Sequence, residues 1–378
     1  MQPDADILEA DKNNISSAEL LILCLRGLPL DPSSYTNWHE LLTLAEKHGV
    51  LPLIYQKLSE CDITPPGFFL DAVVKSRAAA ETLATELEAL LANFAHHGIE
   101  IMPLKGPVLA ESLYGAVSLR PSTDLDLMVH RNDFPHADEL LANTGWIACK
   151  DADTYHKVFL RDDIMVELHF GVAPADSLAS DLDSIWTYSI ESNFRGQPIR
   201  TMSDVDRVLY LCSHGLKHGF YRLIWNIDIL RALQAMNHTD LQSLIERARA
   251  QGLEQILYIG CEMVCEIFPE QLSSSVLTVF EQSPEMRKKA RIAVSRLLDG
   301  GGTTSIGPEI WSLYLQTETD TSKRWRRRLK SFSPTREDYS WAEQNHIHRS
   351  LMPALRPFRI LAKHGPRRIW RNIFPPKG

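Results

Sequence analysis

Hydrophobic and polar positions repeat along the chain with two different periods. A period of about 3.6 residues is typical of helices that bury one face. It predicts helices over 16–60 in several pieces, 68–97, 108–114, 133–144, 204–218, 224–236, 239–251, 254–267 and 285–298. A period of two is typical of half-buried strands. It predicts strands over 99–104, 124–129, 157–160 and 164–170, with 161–163 as a hairpin turn.

These elements predict an α+β fold that is mostly helical overall, in which a small mixed β-sheet core is flanked by helical regions. Proline and glycine at 64–67 and a glycine run at 300–302 mark breaks between segments. We expect an N-terminal helical region over 1–75, an α/β core over 76–200, a helical domain over 201–320 and a C-terminal segment over 321–378.

Charge sets the last segment apart. The 378 residues contain 40 Lys and Arg and 48 Asp and Glu, for a net charge of −8. Residues 321–378 hold 15 of the basic and 3 of the acidic side chains, a net of +12, which leaves −20 on the rest. Three interpretations of the basic segment stay open: docking on the acidic body, peripheral contact with an anionic membrane, and nucleic-acid binding. The acidic body disfavours nucleic acid because it repels a polyanion at long range.

Other features favour a cytoplasmic protein. The sequence has no run of about 18 apolar residues that would form a transmembrane segment. Its start is acidic and polar, unlike a signal peptide. Six cysteines scattered over a long chain do not form a disulfide framework and fit a reducing compartment.

Two aspartates inside an apolar strand are the first candidates for chemistry. Asp124 and Asp126 are separated by one residue, so a period of two puts both carboxylates on the same face. Two close carboxylates repel each other, and a hard divalent cation such as Mg²⁺ removes the repulsion. The alternative is a solvated strand face, which the low strand propensity of aspartate disfavours.

A third acid lies on a later strand. Glu167 and His169 share the polar face of the strand predicted over 164–170. If this strand neighbours the first, Glu167 completes a three-carboxylate cluster that can hold two metal ions, or acts as a general base toward a hydroxyl. The alternative for Glu167 is an exposed strand residue.

Candidate phosphate-binding groups precede the acids. Lys105 and Gly106 lie at a turn from strand to helix, where backbone N–H groups and the helix N-terminus favour an anion. Lys105 and Arg120 would neutralise phosphate charge, while an ordinary turn and a surface arginine are the alternatives. Pro107 suits the first helical turn but lacks an N–H for phosphate.

A helix further along carries two histidines. His214 and His218 are four residues apart and share one face, with Lys217 nearby and Asp228 on the next helix. Three interpretations stay open: contact with nucleotide or substrate, packing beneath a cleft, and a separate metal site.

Together these residues resemble the polymerase-β-like nucleotidyltransferase superfamily, in which a glycine turn precedes an Asp-x-Asp strand and a third acid lies on a later strand. The layout is most similar to largely uncharacterised bacterial nucleotidyltransferase-family proteins. The matching positions are 104–106, Tyr114, Arg120, 124–129, Gly145, 167–169, 213–218, Trp225 and Asp228, and the resemblance covers about residues 35–235. Pro107 after the glycine, and the long segment 107–123, depart from the superfamily pattern.

The resemblance implies an enzyme with a nucleotidyltransferase core, in which Asp124 and Asp126 bind metal and Glu167 is the third acid. The implied reaction moves a nucleoside monophosphate from an NTP to a hydroxyl of a sugar, lipid, peptide or small molecule, with Mg²⁺ or Mn²⁺, and releases pyrophosphate. Nucleotide contacts are predicted for Lys105, Gly106, Arg120, His169, His214, Lys217, His218 and Asp228. Two other classes stay open: a metal-dependent phosphohydrolase using His214, His218 and Asp228, and a non-catalytic nucleotide-binding or assembly protein.

Overall fold

Helices make up most of the residues that the structure describes. The computed structural model describes residues 16–28, 37–149, 155–171, 183–272, 284–298, 338, 341–342, 345 and 347–364. The helices are α1 (Ser17–Arg26), α2 (Trp38–His48), α3 (Leu51–Glu60), α4 (Gly67–His96), α5 (Gly106–Tyr114), α6 (Phe134–Asn143), α7 (Asp183–Thr187), α8 (Asp204–Lys217), α9 (Leu223–Gln234), α10 (His238–Ala250), α11 (Glu254–Ile267), α12 (Pro284–Leu298) and α13 (Met352–His364). Most bounds lie within two residues of the predicted ones. The glycine run at 300–302 lies outside the described residues.

Local capping explains where the first helix begins and ends. Ser16 accepts a hydrogen bond from the backbone N–H of Glu19, whose carboxylate accepts one from the backbone N–H of Ser16. This capping box satisfies donors that the helix leaves unpaired. Gly27 then closes the helix in the left-handed region, with φ of 69°.

The strands form a five-stranded mixed sheet and a separate hairpin. The strands are β1 (Ile101–Pro103), β2 (Asp124–Val129), β3 (Ile147–Ala148), β4 (His156–Arg161), β5 (Ile164–His169), β6 (Ile190–Phe194) and β7 (Gln197–Thr201). The sheet has the order β1-β2-β5-β4-β3, in which β2 and β5 are parallel and the other neighbours antiparallel. The predicted α+β class with a small mixed sheet is therefore confirmed.

The β6–β7 hairpin was not predicted. Four of the five residues of β6 are exposed, so the strand lacks the alternation of apolar residues that marks a half-buried strand. Its signal is the turn instead. Arg195 and Gly196 both have positive φ, 50° and 85°, which is the geometry of a two-residue type I′ turn.

The sheet separates a packed face from a polar one. Leu125, Leu127, Val166 and Leu168 point to one side and pack in a buried core with α4 and α6. The intervening residues of β2 and β5 point to the other side. The acids therefore lie on the face opposite to this core.

A second buried core joins the predicted N-terminal helical region to the helical domain predicted over 201–320. Helices α1 to α3 and the first two turns of α4 pack with α8, α9, α10, α11 and α12 around one set of buried apolar residues. The rest of α4 packs on the sheet. Helix α4 thus connects both cores, and the boundaries at 75, 200 and 320 stay predictions.

Part of the basic segment pairs within itself. Arg356 and Arg359 both form ion pairs with Asp338, and the guanidinium of Arg359 lies 4.0 Å from the ring centroid of Trp341. All three interpretations of this segment stay predictions, because most of its basic residues lie outside the described ranges. None of the described helices has both the length and the hydropathy needed to cross a bilayer. The six cysteines are free thiols.

Folding buries His48 in its neutral form, in a part of the protein outside the candidate cluster of Asp124, Asp126 and Glu167. His48 ends α2 and is 2% exposed, and burial, together with nearby Lys47 and Arg222, lowers its pKa from 6.5 to about 4. Below pH 6.5 the unfolded chain binds a proton that the folded chain does not, so stability falls as the pH drops from 6.5 to 4. We expect this residue to account for a loss of about 3 kcal/mol.

Urea unfolding at pH 7 and pH 4.5 tests this expectation. His48→Gln should flatten the decline in the free energy of unfolding, whereas His130→Gln, which alters an exposed histidine, should not. An equally steep decline in His48→Gln and the wild type would contradict the assignment.

Candidate functional site

The register of two parallel strands brings the predicted acids together. Asp126 lies directly opposite Glu167, and Met128 lies opposite His169. Because side chains alternate along a strand, Asp124, Asp126, Glu167 and His169 all point to the polar face of the sheet. Ligand atoms of Asp126, Glu167 and His169 lie within 4.8 Å of one another.

Asp126 is the most deeply placed of the acids. It is 4% exposed, its Oδ2 lies 3.0 Å from Nζ of Lys105, and its Oδ1 lies 3.3 Å from Nε2 of His169. Burial by itself would raise the pKa of Asp126, but Lys105 and His169 hold it well below its usual range. Asp126 is therefore an ionised carboxylate at neutral pH.

Glu167 and His169 stabilise each other's charged forms. Nε2 of His169 lies 3.4 Å from Oε2 of Glu167. This hydrogen bond is the main reason why the pKa of Glu167 is lowered. Burial opposes the charged imidazole, yet Asp126 and Glu167 raise the pKa of His169 overall.

Asp124 behaves differently from its neighbour on the same strand. Burial is the main cause that raises its pKa to about 6, and the negative charge of Asp126 adds to the shift. Asp124 lies outside the group of three ligand atoms and is only half-buried. Asp124 and Asp126 thus repel each other when both are ionised, and a bound cation would neutralise this repulsion.

The turn at the start of α5 points the ammonium group of Lys105 at the acids. Gly106 has a φ of 69°, which residues with a side chain rarely adopt. A Cβ placed there would lie 3.6 Å from the backbone oxygen of Asp124. Lys105 precedes it, and its Nζ also lies 3.0 Å from Nε2 of His214. Burial, followed by Lys105, holds the pKa of His214 well below its usual value. The neutral His214 therefore accepts a hydrogen bond from Lys105 and links α8 to the sheet.

Lys217 and His218, at the C-terminal end of α8, lie beside His214. The rings of His214 and His218 lie 4.7 Å apart, and Trp225 on α9 lies within 5.3 Å of both. Burial lowers the pKa of His218 to about 4. Nζ of Lys217 donates to the hydroxyl of Tyr155 at 2.8 Å. The structure thus brings the three predicted α8 residues close to the acids, and their contact with nucleotide stays a prediction.

Arg120 and Asp228 form a buried pair instead of facing the acids. Nε and Nη2 of Arg120 lie 2.8 and 2.7 Å from the two carboxylate oxygens of Asp228. Nη1 of Arg120 donates to Ser122, and Asp228 accepts a further bond from Tyr114 at 2.6 Å. Arg120 is 5% exposed and Asp228 is fully buried. The pair joins the segment before β2 to α9, and its predicted role in nucleotide binding stays a prediction.

Two neighbours of the cluster were missed by the sequence analysis. Tyr155 and His156 lie at the start of β4, just before the predicted strand, and the ring of His156 stacks on that of His169 at 5.1 Å. His156 lies opposite His169 in the register of β4 and β5. The available signal was the spacing of two residues between His156 and Val158, which puts both side chains on one face of the strand.

The donor set of the cluster fits a divalent metal. Asp126 and Glu167 offer oxygens and His169 offers a nitrogen, all of which are common metal ligands. The phosphohydrolase alternative required His214, His218 and Asp228 to converge. Asp228 is instead enclosed by Arg120 and Tyr114, so the three do not form a metal-binding group within the described residues.

Comparison with known proteins gives a family and several distant structures. A family model described as an uncharacterised nucleotidyltransferase matches residues 34–269. No curated protein matches the chain. The solution structure of the antibiotic-resistance factor ANT(2'')-Ia is 13% identical with a TM-score of 0.37, over 45% of this chain and 93% of that one. A crystal structure of ANT(2'')-Ia in complex with adenylyl-2''-tobramycin is 15% identical with the same TM-score, over 45% of this chain and 98% of that one. An antigenic nucleotidyltransferase-like protein from Paracoccidioides brasiliensis is 14% identical with a TM-score of 0.32, over 47% of this chain and 93% of that one.

The matched range covers more than half of the chain. It includes the turn at Lys105, the acids of β2 and β5, and the histidines of α8. The chain therefore belongs to this uncharacterised nucleotidyltransferase family.

Proposed function

We propose that the protein transfers a nucleoside monophosphate from an NTP to a hydroxyl group of an acceptor, with release of pyrophosphate. The acceptor is a sugar, lipid, peptide or small molecule. A divalent ion, Mg²⁺ or Mn²⁺, would be held by the carboxylates of Asp124, Asp126 and Glu167, with His169 beside them. The observation that carries the proposal is the convergence of these residues with Lys105 on one face of the sheet.

The reaction exchanges one phosphorus–oxygen bond for another. The acceptor hydroxyl loses its proton to a carboxylate of the cluster, and its oxygen forms a bond to the α-phosphorus. The bond between the α-phosphorus and the oxygen that bridges to the β-phosphate breaks, and pyrophosphate leaves. A bound divalent ion supplies positive charge that neutralises the phosphate oxygens during this displacement.

The charges of the cluster support this assignment. Asp126 and Glu167 are ionised, since their pKa values are lowered, and Asp124 has a pKa raised by burial and by Asp126. A cation bound at this face would favour the ionised form of all three. Lys105 is 12% exposed and would reach the triphosphate from the turn before α5.

Labelled NTPs distinguish this function from the alternatives. The purified protein is incubated with each NTP, labelled at the α- or the γ-phosphate, with Mg²⁺ or Mn²⁺ and fractions of a cell extract. We expect the α-label in an acceptor product and the γ-label in pyrophosphate. Release of the γ-label as inorganic phosphate would indicate a phosphohydrolase. Bound but unchanged NTP in every fraction would indicate a non-catalytic nucleotide-binding protein.

Removal of the lysine charge tests the phosphate-binding role of the turn. In Lys105→Met we expect the rate of transfer to fall about 100-fold, because one preorganised positive donor to the phosphates is lost. The measurement is the initial rate of α-label transfer at saturating NTP. Lys157→Met removes a lysine of β4 that pairs with Asp138 of α6, and it should retain the rate. Equal rates in the two variants would exclude Lys105 from the reaction.

A further inference from the structure

His169 places a nitrogen donor in a cluster that the sequence pattern predicts to bind metal through oxygen. We propose that Nε2 of His169 is itself a metal ligand, with Asp126 and Glu167, and that this mixed set selects a first-row transition ion over Mg²⁺. The inference rests on the proposed function, because it names the class of ion that the same site takes.

The position of Nε2 is the first argument. It lies 3.3 Å from Oδ1 of Asp126 and 3.4 Å from Oε2 of Glu167. An ion bound by both carboxylates therefore lies within reach of the nitrogen. The strand register produces this triangle, because Asp126 and Glu167 are directly opposite and His169 is two residues along the same face.

The hydrogen bond made by Nδ1 of His169 leaves Nε2 as the ring nitrogen that can bind a metal ion. Nδ1 of His169 lies 3.2 Å from the backbone oxygen of Gly171. A carbonyl oxygen only accepts, so Nδ1 carries a hydrogen and donates it. Nε2 faces the two carboxylates, so without an ion it carries the second hydrogen of the charged imidazole, and a bound cation would take the place of that hydrogen. Histidines that ligate metals commonly have the other ring N–H fixed by a carbonyl or carboxylate in this way.

Packing keeps the ring in this orientation. His169 is 5% exposed, and the ring of His156 stacks on it with an interplanar angle of 19°. The ring of Tyr155 lies 6.1 Å away. His169 therefore presents Nε2 to the carboxylates without having to rearrange.

The chemistry of the donors selects the ion. Mg²⁺ binds oxygen ligands and retains water, whereas imidazole favours first-row transition ions. Two carboxylates and one imidazole leave positions for phosphate oxygens and water. Among the divalent first-row transition ions, Mn²⁺ binds most weakly to sites of this kind. If the site prefers Mn²⁺ to Mg²⁺, we expect the later ions of the series to bind at least as tightly as Mn²⁺.

Electron paramagnetic resonance with Mn²⁺ alone tests the ligand directly. The full chain is freed of metal with a chelator and loaded with Mn²⁺ in the absence of nucleotide. We expect spin-echo modulation from a coordinated ¹⁴N nucleus in the wild type and none in His169→Gln. The affinity for Mn²⁺ should fall by about tenfold or more in His169→Gln, while that for Mg²⁺ changes less.

A neighbouring histidine provides the matched control. His156→Gln replaces the ring that stacks on His169. Nε2 of His156 lies 3.8 Å from Oε2 of Glu167, and His156 is not part of the group formed by Asp126, Glu167 and His169. This variant should keep the nitrogen signal, because Nδ1 of His169 still donates to the carbonyl of Gly171 and Nε2 still lies next to both carboxylates. A signal that persists in His169→Gln, or that disappears only in His156→Gln, would overturn the proposal.

A second measurement needs no variant and so does not depend on folding of His169→Gln. Labelling the histidines of the wild type with ¹⁵N should replace the ¹⁴N modulation by that of ¹⁵N, and an unchanged spectrum would overturn the proposal. Failure of the proposed function gives a different result: Mn²⁺ binds with nitrogen coupling, but no α-label is transferred. Transfer with Mg²⁺ in a protein that shows no nitrogen coupling would refute this inference alone.

Discussion

Replacement of Asp126 by asparagine is expected to reduce nucleotidyl transfer by about a thousandfold or more, because several kcal/mol of charge stabilisation at the phosphates depend on the ion held there. Asp126 contacts both Lys105 and His169 and is the most buried acid of the cluster. The amide has the same shape but no charge. The measurement is the rate of α-label transfer, with Mn²⁺ affinity measured in parallel.

Folding has to be preserved for this result to be informative. The amide oxygen can still accept from Lys105, and removal of one negative charge relieves the repulsion that contributes to the raised pKa of Asp124. We expect a cooperative thermal transition at a lower midpoint than that of the wild type, because the buried ion pair with Lys105 is lost. Asp138→Asn, which alters an acid paired with Lys157, is the matched control and should keep the rate. Full transfer by Asp126→Asn would remove this residue from the mechanism.

The elements of the fold were predictable where local pattern decides them. Strand β2 runs from Asp124 to Val129 as predicted, because Leu125, Leu127 and Val129 alternate with three residues that point to the opposite face: Asp124, Asp126 and Met128. The exposed strand β6 has no such pattern, and β3 has only two residues, both exposed. Their pairing depends on a turn and on a neighbouring strand, so it was missed.

The candidate site was predictable in composition but not in its contacts. The shared face of Glu167 and His169 follows from their spacing. Their proximity to Asp126 depends on β2 and β5 being parallel neighbours in one register, which no local pattern specifies. The contact between Lys105 and His214 likewise joins residues 109 positions apart.

Arg120 shows the same limit with a different outcome. Its place just before the acids suggested a phosphate contact, whereas its guanidinium lies against Asp228, 108 positions away. In Arg120→Met the carboxylate of Asp228 would remain buried with Tyr114 as its remaining partner in this group. We expect the free energy of unfolding to fall by about 3–5 kcal/mol, which is typical for removal of one partner of a buried ion pair.

A double-mutant cycle separates this structural role from nucleotide binding. Arg120→Met combined with Asp228→Leu removes both charges and should recover much of the lost stability, since apolar replacements of buried pairs are often neutral. Arg249→Met, which breaks an exposed pair with Glu254, should change stability by less than about 1 kcal/mol. Urea unfolding gives the free energies, and equilibrium binding gives the affinity for NTP. Unchanged stability of Arg120→Met with a weakened affinity for NTP would restore Arg120 as a phosphate ligand. Low stability that the double variant recovers, with affinity retained, assigns the pair to holding the segment before β2 against α9.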